Sequence, residues 1–404
     1  MRRTGLIFVL IALPLVAIAQ DSGGGIDVVD VSGPLDASAL DFMSDSIENA
    51  ANIGQELVII QINSKAVLDE GALARLALLV SEPPVPLALW VGPAPAQAYG
   101  GLVQLVRDAG QAAIAPGSQI GHARPAVLGD GSERLVDIDV FDAAESGLEL
   151  QPTLRQYLQD LDGRTFSTAE GPVVVSTIQS IEGGVTVKPV TFRKPGIATR
   201  FWRLAVTPEA AFFFLAVGLS VATFEFFALG PGVAAGVAAI SLLLAGWGVV
   251  NLPVRWWALS LGIGGWGLLT AAYQKGGVIV MTFAGALVLQ LAGMFYVDGG
   301  GQIDPRWWLV LPSVLAVLFF FLIAMPTVQR ARLSTQTIGR ESLIGHPGIA
   351  ITPFAPNGSV EVDGARWRAT AHREAGIDQG SKIVVTGVDG LYLEVERSEE
   401  IRET

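Results

Sequence analysis

The sequence predicts three fold classes along one chain: an α/β domain, a helical membrane block with several spans, and a small all-β barrel. Strand-like apolar runs alternate with amphipathic helical runs in the first half of the chain. Long, nearly uncharged runs follow, and then short strands separated by Asn-Gly and Asp-Gly turns. A mean hydropathy of +0.49 with only 16% charged residues is too apolar for a soluble protein, so membrane segments are expected.

Residues 1–20 have the pattern of a secretory signal peptide. Arg2 and Arg3 precede an apolar run that finishes in the small-residue pattern Ala-Ile-Ala at 17–19. This order is typical of a signal cleaved at the end of the range, and an uncleaved anchor is the alternative. Either interpretation places the domain that follows outside the cytoplasm.

The exported α/β domain is expected over residues 21–190. Its predicted strands are "IDVVDVSG" (26–33), "ELVIIQIN" (56–63), "PLALWV" (86–91), "AAIA" (112–115) and "RLVDIDVFDA" (134–143). Helices are predicted between them over 35–53, 69–82 and 94–109. Because strand–helix alternation builds parallel sheets with right-handed crossovers, we expect a parallel α/β sheet. Residues 191–207 are predicted to be a short basic linker.

The membrane block is predicted over residues 208–328. Five spans of about 20 residues are expected near 210–229, 232–251, 255–273, 276–296 and 307–327. Tryptophan pairs begin two of these spans, as interfacial aromatic residues do. An odd number of spans after an exported domain leaves the segment that follows in the cytoplasm, so we expect a multi-pass protein of the cell membrane.

Residues 341–397 contain five short strands, which predict a small OB-like barrel. Such a short domain has little core of its own, so tethering and homo-oligomerisation are expected to support it.

Charge and composition exclude several functions. Residues 21–190 hold 8 Lys and Arg against 23 Asp and Glu, and residues 341–404 hold 6 against 11. Because phosphate neutralisation supplies most nucleic-acid affinity, we expect no nucleic-acid partner. The chain has no cysteine and its three histidines are far apart, so no metal site and no cofactor are predicted.

Four segments together resemble the long form of the NfeD family of membrane proteins. They are "APGSQIGHARPAV" (115–127), "LDGRTF" (161–166), "FEFFALGPGVAAGVAAI" (224–240) and "LIGHPGIAITPFAPNGSVEVDGARWRA" (343–369). The resemblance implies an α/β ClpP/crotonase-like exported domain, an α-helical multi-span membrane domain and an OB-fold C-terminal domain. In this family the exported domain resembles a ClpP/SppA-type serine protease with a Ser–Lys dyad.

The positions that the resemblance assigns to catalysis are degenerate here. The oxyanion glycines are replaced within "NSKAV" (63–67), where Lys65 and Ala66 stand. The nucleophile position falls on Tyr99 or Gly100, and no lysine occurs between Val127 and Phe166. A serine nucleophile needs a nearby base and backbone amides for the oxyanion, so a pseudo-protease is predicted.

Ser118 and His122 form the one alternative nucleophile–base pair that the sequence offers. They lie in "PGSQIGH", whose small residues also suit a turn beneath the sheet. A membrane-bound serine peptidase with a rearranged active site would depend on this pair.

Two further features have both structural and functional interpretations. Glu225 precedes the "GPG" break of Gly230, Pro231 and Gly232, where a carboxylate either caps a helix or handles an ion or proton. Trp367 on the barrel either packs at the rim or core or stacks on a ligand.

The resemblance implies a non-catalytic membrane protein that scaffolds SPFH proteins, the stomatin- and flotillin-like membrane proteins, in membrane organisation or quality control. Its expected partners are an SPFH protein and the lipid bilayer. The rearranged peptidase and a transporter that depends on Glu225 are the competing hypotheses.

Overall fold

The structure is a computed structural model that describes residues 24–129, 136–181, 184–228, 232–327, 340–371 and 376–398. The chain divides into two compact units, Met1–Met325 and Pro326–Thr404. The predicted signal peptide 1–20 lies outside the described residues.

The α/β domain contains thirteen described strands and five described helices. The strands are β1 (Ile26–Ser32), β2 (Leu57–Asn63), β3 (Leu87–Val91), β4 (Gln97–Tyr99), β5 (Ala112–Ile114), β6 (Gln119–Gly121), β7 (Val140–Asp142), β8 (Glu149–Leu150), β9 (Thr165–Thr168), β10 (Gly171–Val174), β11 (Ile178–Ile181), β12 (Gly184–Val187) and β13 (Val190–Arg193). The helices are α1 (Ala37–Asn52), α2 (Glu70–Ser81), α3 (Leu102–Asp108), α4 (Leu154–Asp160) and α5 (Ile197–Arg203).

The main sheet has six parallel strands in the order β13-β1-β2-β3-β5-β8. Successive side chains of a strand point to opposite faces, and both faces of this sheet are covered. Val29 and Ile60 pack in a core with α1 and α2, whereas Val28 and Ile59 pack in a second core with Tyr157 of α4. The predicted parallel α/β sheet is therefore confirmed.

Three local predictions in this domain are wrong. Residues 94–109 do not form one helix, because β4 pairs with β6 before α3 begins. Within the described part of the strand predicted over 134–143, which begins at residue 136, only β7 forms, and it pairs antiparallel with β6, outside the main sheet. Residues 191–207 are not a linker, because β13 pairs with β1 as an edge strand and α5 follows it. Each error concerns a segment whose partner lies far along the chain.

Five helices follow in the described part of the membrane block: α6 (Pro208–Ala228), α7 (Val233–Asn251), α8 (Trp256–Gln274), α9 (Ile279–Phe295) and α10 (Trp307–Phe319), which continues as a π-helical turn (Phe320–Ala324). Three helical stretches among the described residues are long and apolar enough to cross a membrane: Pro208–Ala228, Val233–Asn251 and Trp307–Thr327. α9 is apolar but shorter, so the predicted count of five spans stays a prediction.

The C-terminal unit contains a closed five-stranded barrel. Its elements are a short 3-10 helix (Arg340–Leu343), β14 (Pro347–Ala350), β15 (Asn357–Val362), β16 (Ala365–Thr370), β17 (Lys382–Asp389) and β18 (Tyr392–Arg397). The strand order is β14-β15-β16-β18-β17, and β17 pairs back to β14. A five-stranded barrel of this kind is the OB-type architecture that the strand spacing predicts.

Candidate functional site

The segment that the resemblance assigns to a nucleophile elbow leads from β3 through β4 into α3. Tyr99, at the end of β4, is only 6% exposed, and its ring lies edge-on against His122 at 4.9 Å between ring centres. Burial raises the pKa of the Tyr99 phenol above its ordinary value. The phenol is therefore neutral at physiological pH and is not an activated nucleophile.

Gly100 follows Tyr99 in the left-handed region of backbone space, with φ of +66°. Its amide donates to the carbonyl oxygen of His122 at 2.9 Å, and the amide of Gly101 donates to that of Ala126 at 2.7 Å. A Cβ at Gly100 would lie 2.9 Å from the Ala126 carbonyl oxygen. The turn thus requires glycine and its amides are already paired.

The backbone at Ala66, which the resemblance places at the oxyanion position, is also paired within the chain. The Ala66 amide donates to the Ser64 hydroxyl at 3.3 Å, and that hydroxyl donates to the Ala66 carbonyl at 3.0 Å. Ala66 is fully buried and packs in one cluster with Leu128, Tyr296 and Ile303. The membrane block therefore contributes to the packing around this position, and the Ala66 amide is not available to an oxyanion.

Residues 122–128 cross the site and are held from both sides. The Leu128 amide donates to the Val67 carbonyl at 2.9 Å. Gln302, from the loop between α9 and α10, donates through Nε2 to the carbonyls of His122 at 3.1 Å and Pro125 at 2.8 Å. Gln302 is 5% exposed. Gln302 of the membrane block thus fastens residues 122–128, which pair with Gly100 and Gly101.

Ser118 and His122 are not joined as a nucleophile–base pair. Ser118 is fully buried, and its Oγ accepts a hydrogen bond from the Ala96 amide at 3.0 Å. The Nδ1 atom of His122 lies 3.1 Å from the carbonyl oxygen of Asp137. Across the described ranges, no hydrogen bond connects the two side chains. Ser118 has the turn-stabilising contact that the structural interpretation predicts.

A second connection joins the α/β domain to the membrane block through α5. Arg203 Nε donates to Asp36 Oδ1 at 3.1 Å, and the two side chains are 12% and 1% exposed. Its Nη2 atom donates to the carbonyls of Ser32 and Pro34, both at 3.0 Å. This buried ion pair anchors the helix that leads into α6 against the carboxyl end of β1.

The remaining singled-out residues have local contacts of their own. Glu225 Oε1 accepts a hydrogen bond at 2.8 Å from the amide of Gly232, the residue that precedes α7. Gly230 and Pro231 lie outside the described residues. Trp367 is partly buried against the barrel core. Within the described ranges, no group of three or more acidic or histidine side chains is placed to hold a metal ion.

Sequence reasoning missed Gln302 and the crossing segment. The only signal for Gln302 is its place in the glycine-rich sequence "DGGGQ" (298–302) between two apolar helices. A glycine-rich loop of this kind reads as a simple connection, because nothing local shows that it contacts another domain.

Fold and contacts define the class: an integral membrane protein with an α/β domain packed against a block of apolar helices, followed by a five-stranded barrel. Residues 209–325 match the NfeD integral membrane domain, and residues 340–397 match the NfeD-like C-terminal, partner-binding domain. The chain therefore contains both NfeD domains, and the resemblance stated from its sequence is confirmed.

Two relatives align over nearly the whole chain. The membrane-bound protease PH1510 of Pyrococcus horikoshii is 22% identical over 92% of each chain. The membrane protein NfeD1b of Bacillus subtilis is 23% identical over 96% of each chain. Among solved structures, the 1510-N membrane protease specific for a stomatin homolog from Pyrococcus horikoshii matches 44% of this chain and 96% of its own, with 16% identity and a TM-score of 0.35.

Proposed function

We propose that this chain is a non-catalytic membrane protein in which the protease-like domain serves as an interaction module. The observation that carries the proposal is the pairing of the amides at Ala66, Gly100 and Gly101 inside the chain. A serine protease needs such amides free to stabilise the oxyanion, and removing one donor costs about 100- to 1000-fold in rate. The buried Tyr99 and Ser118 supply no activated nucleophile in their place.

The proposed partner is an SPFH membrane protein, which the C-terminal barrel binds. The family model describes this domain as partner-binding. Three large apolar side chains of the barrel unit are exposed: Ile344 by 46%, Ile349 by 55% and Leu391 by 70%. Exposed apolar side chains of this size suit a protein contact. The lipid bilayer is the second proposed partner, through the apolar helices of the membrane block.

Co-purification tests the partner proposal. The full-length chain, expressed with an SPFH protein and solubilised in detergent, is expected to retain that protein. The double variant I349E/L391E should lose most of it, because both side chains are exposed and their replacement leaves the barrel core intact. I138E is the matched control, since Ile138 is 73% exposed in the α/β domain. Equal retention by all three proteins would contradict the proposed barrel contact.

The alternative function is a membrane-bound serine peptidase with a rearranged site. It is favoured by one observation, that a relative aligned over 92% of both chains is named a protease. Full-length protein should then react with a fluorophosphonate probe and cleave unstructured peptides, and S118A should abolish both activities. We expect neither probe labelling nor peptide cleavage by the wild type or by S118A. Labelling that disappears in S118A would overturn the non-catalytic proposal.

We also propose that the α/β domain is exported and the barrel is cytoplasmic. The chain has no cysteine, so single introduced cysteines report topology without background. Ser81 is exposed in the α/β domain and Lys275 is exposed at the end of α8. A membrane-impermeant maleimide should label S81C but not K275C in intact cells. The reverse result would invert the proposed orientation.

A further inference from the structure

A cavity of about 360 Å³ lies between the α/β domain and the membrane block. Lys65 and Asn63 line it from the end of β2, and Glu209 and Arg306 line it from the starts of α6 and α10. Lys65 stands at the degenerate oxyanion position, but its side chain faces this cavity while its neighbours Ser64 and Ala66 are buried. Successive side chains of an extended segment point to opposite sides, which separates the two environments.

The two cations of the cavity have no carboxylate partner. Among the described residues, no Asp or Glu lies within ion-pair distance of Lys65 or of the Arg306 guanidinium. The Arg306 guanidinium lies over the Trp308 ring, 5.4 Å from its centre. That stacking fixes the guanidinium plane and leaves its N–H groups able to donate at the edge.

The two carboxylates that line the cavity are already engaged by backbone amides. Glu209 Oε1 accepts from the Arg306 amide at 3.3 Å. The two carboxylate oxygens of Asp304 accept from the amides of Gly299 at 3.0 Å and Gly301 at 2.9 Å. These bonds hold the loop between α9 and α10 and partly offset the negative charge of the carboxylates. The lining therefore holds two carboxylates that already accept backbone hydrogen bonds and two cations without a carboxylate partner.

Two helix starts add to the positive potential of the cavity. α6 begins at Pro208, which lines the cavity, and α10 begins at Trp307, next to Arg306. A helix start carries unpaired amide donors and roughly half a positive charge. Together with Lys65 and Arg306, these ends favour an anion with several acceptor oxygens.

We propose that this cavity binds a phosphoryl group. Its position favours the headgroup of a phospholipid, because Trp307 and Trp308 are 55% and 49% exposed at the start of an apolar helix. Exposed tryptophans at a helix end mark the headgroup level of a bilayer. Free phosphate is the second source of the same chemistry.

Native mass spectrometry of the full-length protein in detergent tests the site. In the first arm, delipidated protein is titrated with phosphatidylglycerol and the bound lipid is counted. In the second arm, inorganic phosphate is added and its binding is measured as a rise in the thermal unfolding midpoint. The variants are K65Q, K65Q/R306Q and, as a matched control, K275Q. The control removes an exposed cation that follows the C-terminal end of α8 and does not line the cavity. The thermal midpoint of each variant without ligand establishes that it folds.

We expect one retained phospholipid, bound about tenfold more weakly in K65Q/R306Q, which corresponds to about 1.4 kcal/mol. K65Q alone should give a smaller loss, and K275Q none. Stabilisation by phosphate that depends on the same two cations, without lipid retention, would support the site and assign it to a soluble ligand. If wild type and K65Q/R306Q bind lipid and phosphate equally, the proposal is overturned.

Discussion

The region around Gly100, where the α/β domain meets the membrane block, differs from the C-terminal barrel in how its interacting groups are used. At the junction, the amides of Ala66, Gly100 and Gly101 and the Nε2 amide of Gln302 are paired within the chain. On the barrel, Ile349 and Leu391 are exposed in a domain of the partner-binding class. The difference teaches that backbone and side-chain donors can be used inside the chain to hold its segments together, whereas a small barrel leaves large apolar side chains exposed.

Loss of the buried Arg203–Asp36 ion pair, the second contact between the α/β domain and the membrane block, should lower stability the most. R203L should lower the free energy of unfolding by about 3 kcal/mol, because it leaves the Asp36 carboxylate buried without its cation. R200L on the same helix is the control, since Arg200 is exposed. Denaturation of the full-length chain in detergent measures both variants, and equal stability of R203L and wild type would show that α5 does not anchor the junction.

A serine in place of Gly100 should destabilise the fold and give no labelling by a serine-directed probe. G100S is expected to cost about 2 kcal/mol, because its φ of +66° is strained for serine and its Cβ would crowd Ala126. G110S is the control, since no atom lies within 4 Å of a Cβ there. Denaturation and fluorophosphonate labelling measure the two effects. A stable, labelled G100S protein would show that the site tolerates a nucleophile.

Loss of the Gln302 contacts should have a smaller effect. Q302L keeps the volume but removes the Gln302 donor from the Pro125 carbonyl and one of two donors from the His122 carbonyl, which still accepts from the Gly100 amide; the loss should cost about 1–2 kcal/mol. It should also speed proteolysis within residues 122–128 in the folded chain. Q274L, at an exposed helix end, should change neither property. Unchanged proteolysis in Q302L would mean that the loop does not fasten the crossing segment.

The smallest expected effect concerns Asp27, at the sheet edge where β13 pairs with β1. Burial raises the pKa of Asp27 from 3.8 to about 6, although Arg193 Nε donates to it at 3.0 Å and favours the carboxylate. The folded state therefore keeps a proton that the unfolded state releases, so this contribution is complete below pH 3.8 and is lost as pH rises through about 6.

Thermal midpoints between pH 4 and 7 check this expectation. The midpoint should fall with rising pH in wild type and fall less in D27N, while D45N, at an exposed position, behaves as wild type. A midpoint that rises with pH in wild type, and not in D27N, would mean that the Arg193 pair outweighs burial.

Secondary-structure elements that depend only on their own apolar pattern were predictable from the sequence. The buried strands β1 to β3, the apolar helices and the barrel strands follow from the period and length of their apolar runs, because burial of such runs dominates folding free energy. The absence of a serine and a lysine from the positions that the resemblance assigns to catalysis was also visible. Residues 94–109 were harder: their apolar content suits a helix, but pairing of β4 with β6 overrides that propensity.

By itself, the sequence determined the three fold classes, the NfeD resemblance and the absence of a Ser–Lys pair at the expected positions. Only the tertiary structure decided that the amides of Ala66, Gly100 and Gly101 are paired, that β13 forms the edge of the sheet, and that Gln302 holds a segment 180 residues away. A hydrogen bond between groups that distant leaves no periodic signal in the chain. It exists only once the apolar cores have packed and brought the two domains together.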